Sequence, residues 1–450
     1  MVRTPKASRR KNPKRSRMKV KFALVFSAVC LLCSCGSDNK VPNTVEVAQT
    51  QTTVSDIERT TAPTTVSTEE QTTAPATTSA PAPPEDLILS GAGNVEVYDK
   101  LTVGDYITDT NVELAEPSAI LDTNELGEHQ LSVPYTFGSG TFSQDITYNV
   151  VDTTAPVVLN SGWSPTHQCG MPFDLNDYVG FADNYDRAPT LTYVGEVDPN
   201  TVGDYPLIAT ASDSSGNAVS WDVTISVAEV VPPIPDYGEP VAFADFMEKY
   251  AADNVRFGID ISTWQGDIDF NAVKNAGCSF VIMRIGYYYS NITMDDRFQA
   301  NLAGAQAAGL DVGVYIYTTD RSEQNVRDHA NWIATQLDGT QLAFPVAYDW
   351  EEFGSFQKYG MSIHDLNEYY RLFSDEMNSY GYSAMLYSSK NFLNNFWNDD
   401  SKALDPVWLA HFTEQTDYDG EYALWQASSH GRIDGIDGNV DFDILYTDRF

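Results

Sequence analysis

The 450 residues carry 63 Asp and Glu against 27 Lys and Arg, a formal net charge of −36, and ten of the basic residues lie before Phe22. Beyond residue 34 the balance is 17 basic to 63 acidic, a net charge of about −46, which excludes nonspecific nucleic-acid binding and sets the chain against anionic polymers. The six His are scattered with no His-x-x-x-His pattern, the mature region has no Cys-x-x-Cys, and no glycine-rich phosphate loop follows a strand, so neither metal nor nucleotide cofactor is expected.

In chain order, residues 1–34 read first as an export signal. The basic start is followed by Phe22 to Leu32, an apolar run too short to span a bilayer as a stable helix. Met18-Lys19-Val20-Lys21 makes an ordinary basic segment before that run, so Met1 and Met18 are both open as the start of translation. Leu32-Cys33-Ser34-Cys35 resembles a bacterial lipobox, with Leu at minus three and a small residue at minus one. The resemblance implies cleavage after Ser34, a lipid on Cys35, and anchoring to the outer face of a bacterial cell membrane. Residues 35–84 then form a linker, because Val41 to Pro84 is rich in Thr, Pro, Ala and Ser and has too few large apolar side chains to bury a core.

Residues 85–151 and 152–228 read as two all-β modules. Leu126-Gly127-Glu128-His129-Gln130-Leu131 parallels Val202-Gly203-Asp204-Tyr205-Pro206-Leu207, and each module ends in an alternating strand, Ser143 to Val151 and Val219 to Val227. The join Asp152-Thr153-Thr154-Ala155-Pro156 and the turn Ser212-Asp213-Ser214-Ser215-Gly216-Asn217 resemble those of bacterial Ig-like surface domains, which implies sandwiches used as stalks. Beyond Cys35 only Cys169 and Cys278 remain; they fall in different domains, so both are expected to be free. Residues 229–254 supply a hinge with Pro232, Pro233 and Pro235, then a packing helix from Ala242 to Ala251.

From residue 255 to 450, short apolar runs alternate with longer amphipathic stretches, the pattern of repeated βα units. Strands are expected at Phe257–Ile261, Phe280–Ile285, Val312–Tyr317, Phe344–Asp349, Ala384–Tyr387, Val407–Ala410 and Ala423–Gln426. Helices are expected at Asp296–Ala308, stopped by Gly309, and at Asp365–Ser379, opened by Ser362 with Asp365 three residues on and stopped by Gly381. In a barrel the downstream strand ends would gather on one rim. One of them carries Asp349 and Glu351, spaced i, i+2 and therefore on one strand face. Acids this close push their pKa values apart, so one keeps a proton near neutrality while the other is charged, as glycosidic cleavage requires.

The ordered matches make the resemblance specific. Gly258-Ile259-Asp260-Ile261-Ser262 with Trp264-Gln265-Gly266, Phe280 to Arg284, the Asp295 to Asn301 segment and Ala308 to Tyr315 resemble the glycoside hydrolases of family 25. So do Asp349-Trp350-Glu351, Trp408 to His411, Leu424-Trp425-Gln426 and Gly435 to Asp441. The resemblance covers about 195 residues, nearly all of the region after residue 254. It implies a multidomain chain whose C-terminal part is a flattened β/α TIM-like barrel, following two all-β Ig-like sandwiches. It also implies cleavage of the β-1,4 bond between N-acetylmuramic acid and N-acetylglucosamine of bacterial peptidoglycan, without cofactor or metal, by a chain expected to be monomeric.

Carried over by position, the catalytic acids are Glu351, Asp349, Asp260 and Asp441. Glu351 is read as the general acid and Asp349 as the acid that stays ionised, either stabilising oxocarbenium-like charge or orienting the substrate's 2-acetamido group. Asp260 and Asp441 are expected to meet across the barrel's closing seam, as charge balance, as holders of the attacking water, or as a purely structural pair. Tyr315, Tyr317, Tyr387, Trp408 and Trp425 serve either as sugar platforms or as core rings, and Gln426 and Arg284 complete the substrate-binding set, Arg284 being first a carboxylate partner. His411 is left outside the acid–base set. Asp434 to Asp443 is rich in Asp and Gly but does not fit a twelve-residue calcium loop. Two alternatives keep the barrel: a wall-binding module of feeble activity, or a glycosidase for another polysaccharide.

Overall fold

The computed structural model describes residues 81–159, 164–231 and 239–450. The export signal, Cys35, nearly all of the spacer and the hinge prolines 232, 233 and 235 lie outside the described residues. Among the described residues no helix is long and apolar enough to cross a membrane.

Two β modules come first, each with its own buried cluster. In the first, Gly127–Phe137 and Gly140–Val151 form a long hairpin, flanked by Glu113–Leu114 and by Asn94–Glu96, which runs parallel to the end of the second strand. The second module repeats the plan, with Gly203–Ser212 and Ala218–Ala228 flanked by Thr190–Val194 and by the parallel Thr166–Gln168. Each long hairpin thus opens at the glycine of the repeated motif, Gly127 or Gly203. Alternation fills the cores: Val133, Tyr148 and Val150 with Val95 and Tyr106 in the first, Leu207, Ala209, Trp221, Val223 and Ile225 with Phe181 in the second.

The C-terminal domain is a barrel-like sheet of eight principal strands: β1 (Val255–Ile261), β2 (Phe280–Tyr288), β3 (Asp311–Thr318), β4 (Val346–Trp350), β5 (Ala384–Ser389), β6 (Val407–Ala410), β7 (Leu424–Arg432) and β8 (Val440–Tyr446). Strands β1 to β7 pair in parallel in chain order. Strand β8 runs antiparallel to both β1 and β7, and so closes the ring. The expected strands sit within a few residues of these. The closing strand itself had been read only as a motif.

Helices cover the outside. Phe243–Lys249 packs Phe243 and Phe246 against Phe442 of β8, Phe298–Ala307 ends at Gly309 with φ 72°, and Ile363–Ser379 ends before Gly381 with φ 84°. The last of these starts two residues earlier than expected, and its capping box is formed by Ser362 and Asp365. Phe270–Asn275 and Glu323–Leu337 are further helices that no specific expectation covered. In Glu323–Leu337 the buried Val326, Ala330, Ile333 and Leu337 recur at helical spacing, so the signal was present.

The second β module rests on the barrel. Carbonyls of Asp183 and Asn184 accept the N–H groups of Ile363 and His364 at 2.7 and 3.3 Å, and Arg187 forks onto Asp365 through two bonds of 2.7 Å. From the first module, Tyr98 stacks on His364 with ring centroids 3.4 Å apart. The Cys169 and Cys278 thiols are both free, as expected.

Candidate active site

Strand parity builds the site. Phe280, Ile282, Ala347, Met385, Leu424 and Leu445 fill the barrel interior, while their neighbours Val281, Val346, Tyr348, Leu386, Trp425 and Ile444 face outward to the helices. Continuing the inward parity to the strand ends brings up Asp260 on β1, Arg284 on β2, Tyr315 and Tyr317 on β3 and Asp349 on β4, with Glu351 just beyond it. Tyr387, Trp408, Gln426, Asp441 and Asp443 complete the ring on β5 to β8.

Asp260 faces Asp441 directly in the β1–β8 register, and Asp349 lies between Tyr317 of β3 and Tyr387 of β5. A hydrogen-bond chain links the two sides: the Tyr387 hydroxyl donates to Gln426 Oε1 at 2.9 Å, and Gln426 Nε2 donates to Asp260 Oδ2 at 2.7 Å. Trp408 Nε1 donates to Asp443 Oδ1 at 2.9 Å. Arg284 pairs with the buried Asp295 at 2.7 Å, and the Tyr317 hydroxyl donates to Glu352 Oε1 at 2.8 Å.

So many carboxyl groups in one low-dielectric space cannot all ionise. Burial pushes Glu351 up to about 7; the charges of Asp260 and Glu352 add to this, while hydrogen bonds with Tyr387 and Asp349 hold it back. Burial likewise lifts Asp260 to about 6, opposed by hydrogen bonds from Gln426, Asp443 and Asp441. Asp349 is pushed well above the carboxylate range by burial, then by Glu351 and Asp260, with Arg284 pulling the other way. Asp441 and Asp443 are raised in the same manner by burial and by Asp260. Burial and mutual repulsion thus raise the carboxyls of the whole cluster, so it retains protons near neutrality that ordinary carboxylates would have lost. Glu351 is less buried than Asp349 and Asp260, which places it at the lip of the cluster.

Not every expected residue lines this space. Trp425 is turned outward, because its neighbour Gln426 points in: its ring packs edge-on against Tyr250 at 5.5 Å and its Nε1 donates to the His411 carbonyl at 2.8 Å. A sugar cannot reach it. Trp408 faces the interior and is buried, its ring edge-on to Tyr315 and Tyr387 and its Nε1 bonded to Asp443, so it packs the interior rather than offering a stacking face. Arg284 is a carboxylate partner, held by Asp295. His411 bonds Thr416 at 2.9 Å, outside the cluster.

Other residues were missed. Asp443 follows Asp441 at i, i+2, the same signal that singled out Asp349 and Glu351, and it is fully buried. Trp264, on the turn after β1, is 72% exposed, and Tyr289, 41% exposed, lies 5.5 Å from Tyr317. These are open aromatic faces at the rim. A hollow of about 830 Å³ between Asp267, Phe270, Gly304 and Asp437 holds none of the clustered acids. Among the described residues, the one group of acids at metal-ligand spacing lies outside the barrel. A cluster of carboxyls whose burial raises their proton affinity, under open aromatic faces, suits acid-assisted cleavage of an acetal.

Comparison with known proteins agrees on the type of domain. The sequence model of glycosyl hydrolases family 25 matches residues 259–436. The autolytic lysozyme of Clostridium acetobutylicum is 31% identical over 189 residues, covering 41% of this chain and 54% of that protein. Lysozyme M1 of Streptomyces globisporus is 29% identical over 204 residues, covering 41% of this chain and 65% of that one. The chain thus spans less than two thirds of either relative. A crystal structure of the bacterial lysozyme from Streptomyces coelicolor aligns at 26% identity and a TM-score of 0.35, over 42% of this chain and 90% of that chain.

Proposed function

Residues 259–436 are a glycosyl hydrolases family 25 domain, and on that premise we propose that the chain is a muramidase that cuts the β-1,4 bond between N-acetylmuramic acid and N-acetylglucosamine in peptidoglycan. The observation that carries the reading is the gathering of Asp260, Asp441, Asp349 and Glu351 at one end of the barrel sheet, where burial pushes the Glu351 carboxyl up to about 7. The relatives' description as lysozymes supports the substrate class.

In this reading Glu351 gives its proton to the bridging oxygen as the bond to the anomeric carbon breaks. The hydrogen bond from Asp349 stabilises the carboxylate left behind. Passage of that second proton to Glu351 leaves the charge on Asp349, facing the oxocarbenium-like carbon or the acetamido N–H of the substrate. Asp260 and Asp441, on the opposite side of the ring, hold the water that completes hydrolysis. Gln426 and Tyr387 keep the two sides in register. Trp264, Tyr289 and Tyr317 offer ring faces to the glycan.

The two β modules, read as Ig-like stalks, and a lipid on Cys35 would carry this barrel from the outer face of a bacterial membrane toward the wall, as a monomer. Digestion of purified peptidoglycan with the purified chain, followed by mass spectrometry of the products, tests the activity. New reducing ends on N-acetylmuramic acid are expected; their absence, or release from another glycan alone, rejects the reading. Incorporation of labelled fatty acid that is lost in Cys35→Ser tests the anchor, and an unlabelled parent chain rejects it.

A further inference from the structure

We propose that Asp152, Asp183 and Asp213 bind one Ca²⁺ ion at the joint between the two β modules. The three come from separate segments: the join after the first module, the turn after Phe181–Ala182, and the turn after Gly203–Ser212. One carboxylate oxygen of each lies within 4.8 Å of those of the other two. A Ca–O distance of about 2.4 Å puts opposed ligands about 4.8 Å apart, so the cluster has the span of one such ion.

The bonding within the cluster points inward in the same way. Asp183 Oδ2 accepts the N–H groups of Tyr185 and Asp186 at 2.9 and 2.7 Å, and Asp152 Oδ1 accepts that of Thr154 at 3.2 Å. Asp213 Oδ1 accepts those of Gly216 and Asn217 at 2.7 and 2.8 Å. Of the remaining oxygens, Asp213 Oδ2 accepts an Asn217 Nδ2–H at 2.9 Å, while Asp183 Oδ1 and Asp152 Oδ2 are buried and receive no donor. Asp183 is fully buried and Asp152 is 7% exposed, so water does not serve them freely. Arg187, the nearby base, is committed to Asp365. Three carboxylates in such a place require either protons or a cation. Burial and mutual repulsion do raise Asp183 to about 6 and Asp152 above its ordinary range, which describes the protonated alternative. An all-oxygen set without His or thiolate selects a hard ion, and side chains on turns suit the loose geometry of Ca²⁺ better than the strict octahedron of Mg²⁺.

The ion would tie three bodies together. On one side, Glu96 of the first module accepts the Thr153 N–H and both threonine hydroxyls of the join. On the other, the Asp183 and Asn184 carbonyls hold Ile363 and His364 at the start of a barrel helix. Bound Ca²⁺ therefore stiffens the path from first module to barrel, independently of what the barrel hydrolyses.

Calorimetric titration of the chelator-treated full chain, with terbium emission sensitised through Tyr185 as a second probe, tests this. One site is expected, with a Kd on the order of 10⁻⁴ to 10⁻³ M as in other extracellular calcium modules, and a thermal midpoint that rises with Ca²⁺. Asp183→Asn and Asp213→Asn each keep an acceptor for the local N–H groups, so the fold should persist while affinity falls at least about 10-fold; Asp437→Asn, in the barrel, should change nothing. If Asp183→Asn does not fold by circular dichroism, Asp213→Asn and Asp152→Asn decide. No binding and no thermal shift up to about 10 mM Ca²⁺, unchanged affinity in the Asn variants, loss of binding in Asp437→Asn, or equal affinity for Mg²⁺ would each overturn the assignment.

Discussion

Glu351 keeps its proton near neutrality because it shares a buried space with Asp260, Asp349 and Glu352. Replacing it with the near-isosteric Gln removes the transferable proton but leaves the packing, so turnover is expected to fall by roughly 10²- to 10⁴-fold with an unchanged circular dichroism spectrum. The pH profile should be narrow. Activity falls as pH rises through about 7, where Glu351 loses its proton, and falls again below about 6, where Asp260 gains one; kcat/KM against pH reads both as apparent values of the coupled cluster. The same shifts act on stability. A carboxyl whose folded pKa is raised binds its proton more tightly when folded, so its contribution is fully present below about pH 4 and is lost as pH climbs through the folded value. At fixed calcium, the barrel should melt at higher temperature at pH 5 than at pH 8. Glu351→Gln should raise the midpoint at pH 8, by an amount on the order of 1–3 kcal/mol.

At the scale of elements, one residue of register separates chemistry from support. Tyr387 points inward and bonds Gln426, whereas Trp425 points outward onto Tyr250. Tyr387→Phe is expected to lower kcat about 10- to 100-fold with a small change in urea stability, and Trp425→Ala to cost about 3–5 kcal/mol in urea melts. A reversed pattern would mean that the parity has been misread. Strand alternation made Asp349 with Glu351 legible from sequence, whereas Asp260 across from Asp441 came from the family resemblance. The same rule, applied to Leu424-Trp425-Gln426, forbids Trp425 and Gln426 from sharing a face, and it would also have found Asp443. What alternation could not supply was depth. Tyr315, Trp408 and Tyr387 share one interior, and only the folded barrel shows that the Trp408 ring is closed off from solvent. The cluster of Asp152, Asp183 and Asp213 was illegible for a different reason. Its members stand 31 and 30 residues apart, on turns whose meeting depends on two modules folding.

Across the whole molecule, charge and attachment set the working conditions. With a net charge of −36 before any processing, the chain is repelled by anionic polymers unless ions screen the field. Hydrolysis of walls that keep such polymers should therefore rise several-fold between about 10 mM and 150 mM salt, while stripped walls show little change; turbidity assays on the two preparations measure the difference. Attachment of the modules rests on few contacts, among them the Arg187 fork on Asp365, which also caps the helix Ile363–Ser379. Arg187→Ala leaves that cap in place but strands a buried charge, so a loss of about 1–3 kcal/mol is expected in thermal melts.

The antiparallel strand Val440–Tyr446 is the last of the eight to be synthesised, and it contributes Asp441 and Asp443 while sealing the ring between the first and seventh strands. Ribosomal synthesis is vectorial, so until this segment emerges the other acids stand on an unsealed sheet, without Asp441 and Asp443 beside Asp260. A nascent polypeptide stopping short of Val440 lacks Asp441, Asp443 and the strand that joins β1 to β7. The ring of acids is thus completed only when the last strand of the sheet has emerged.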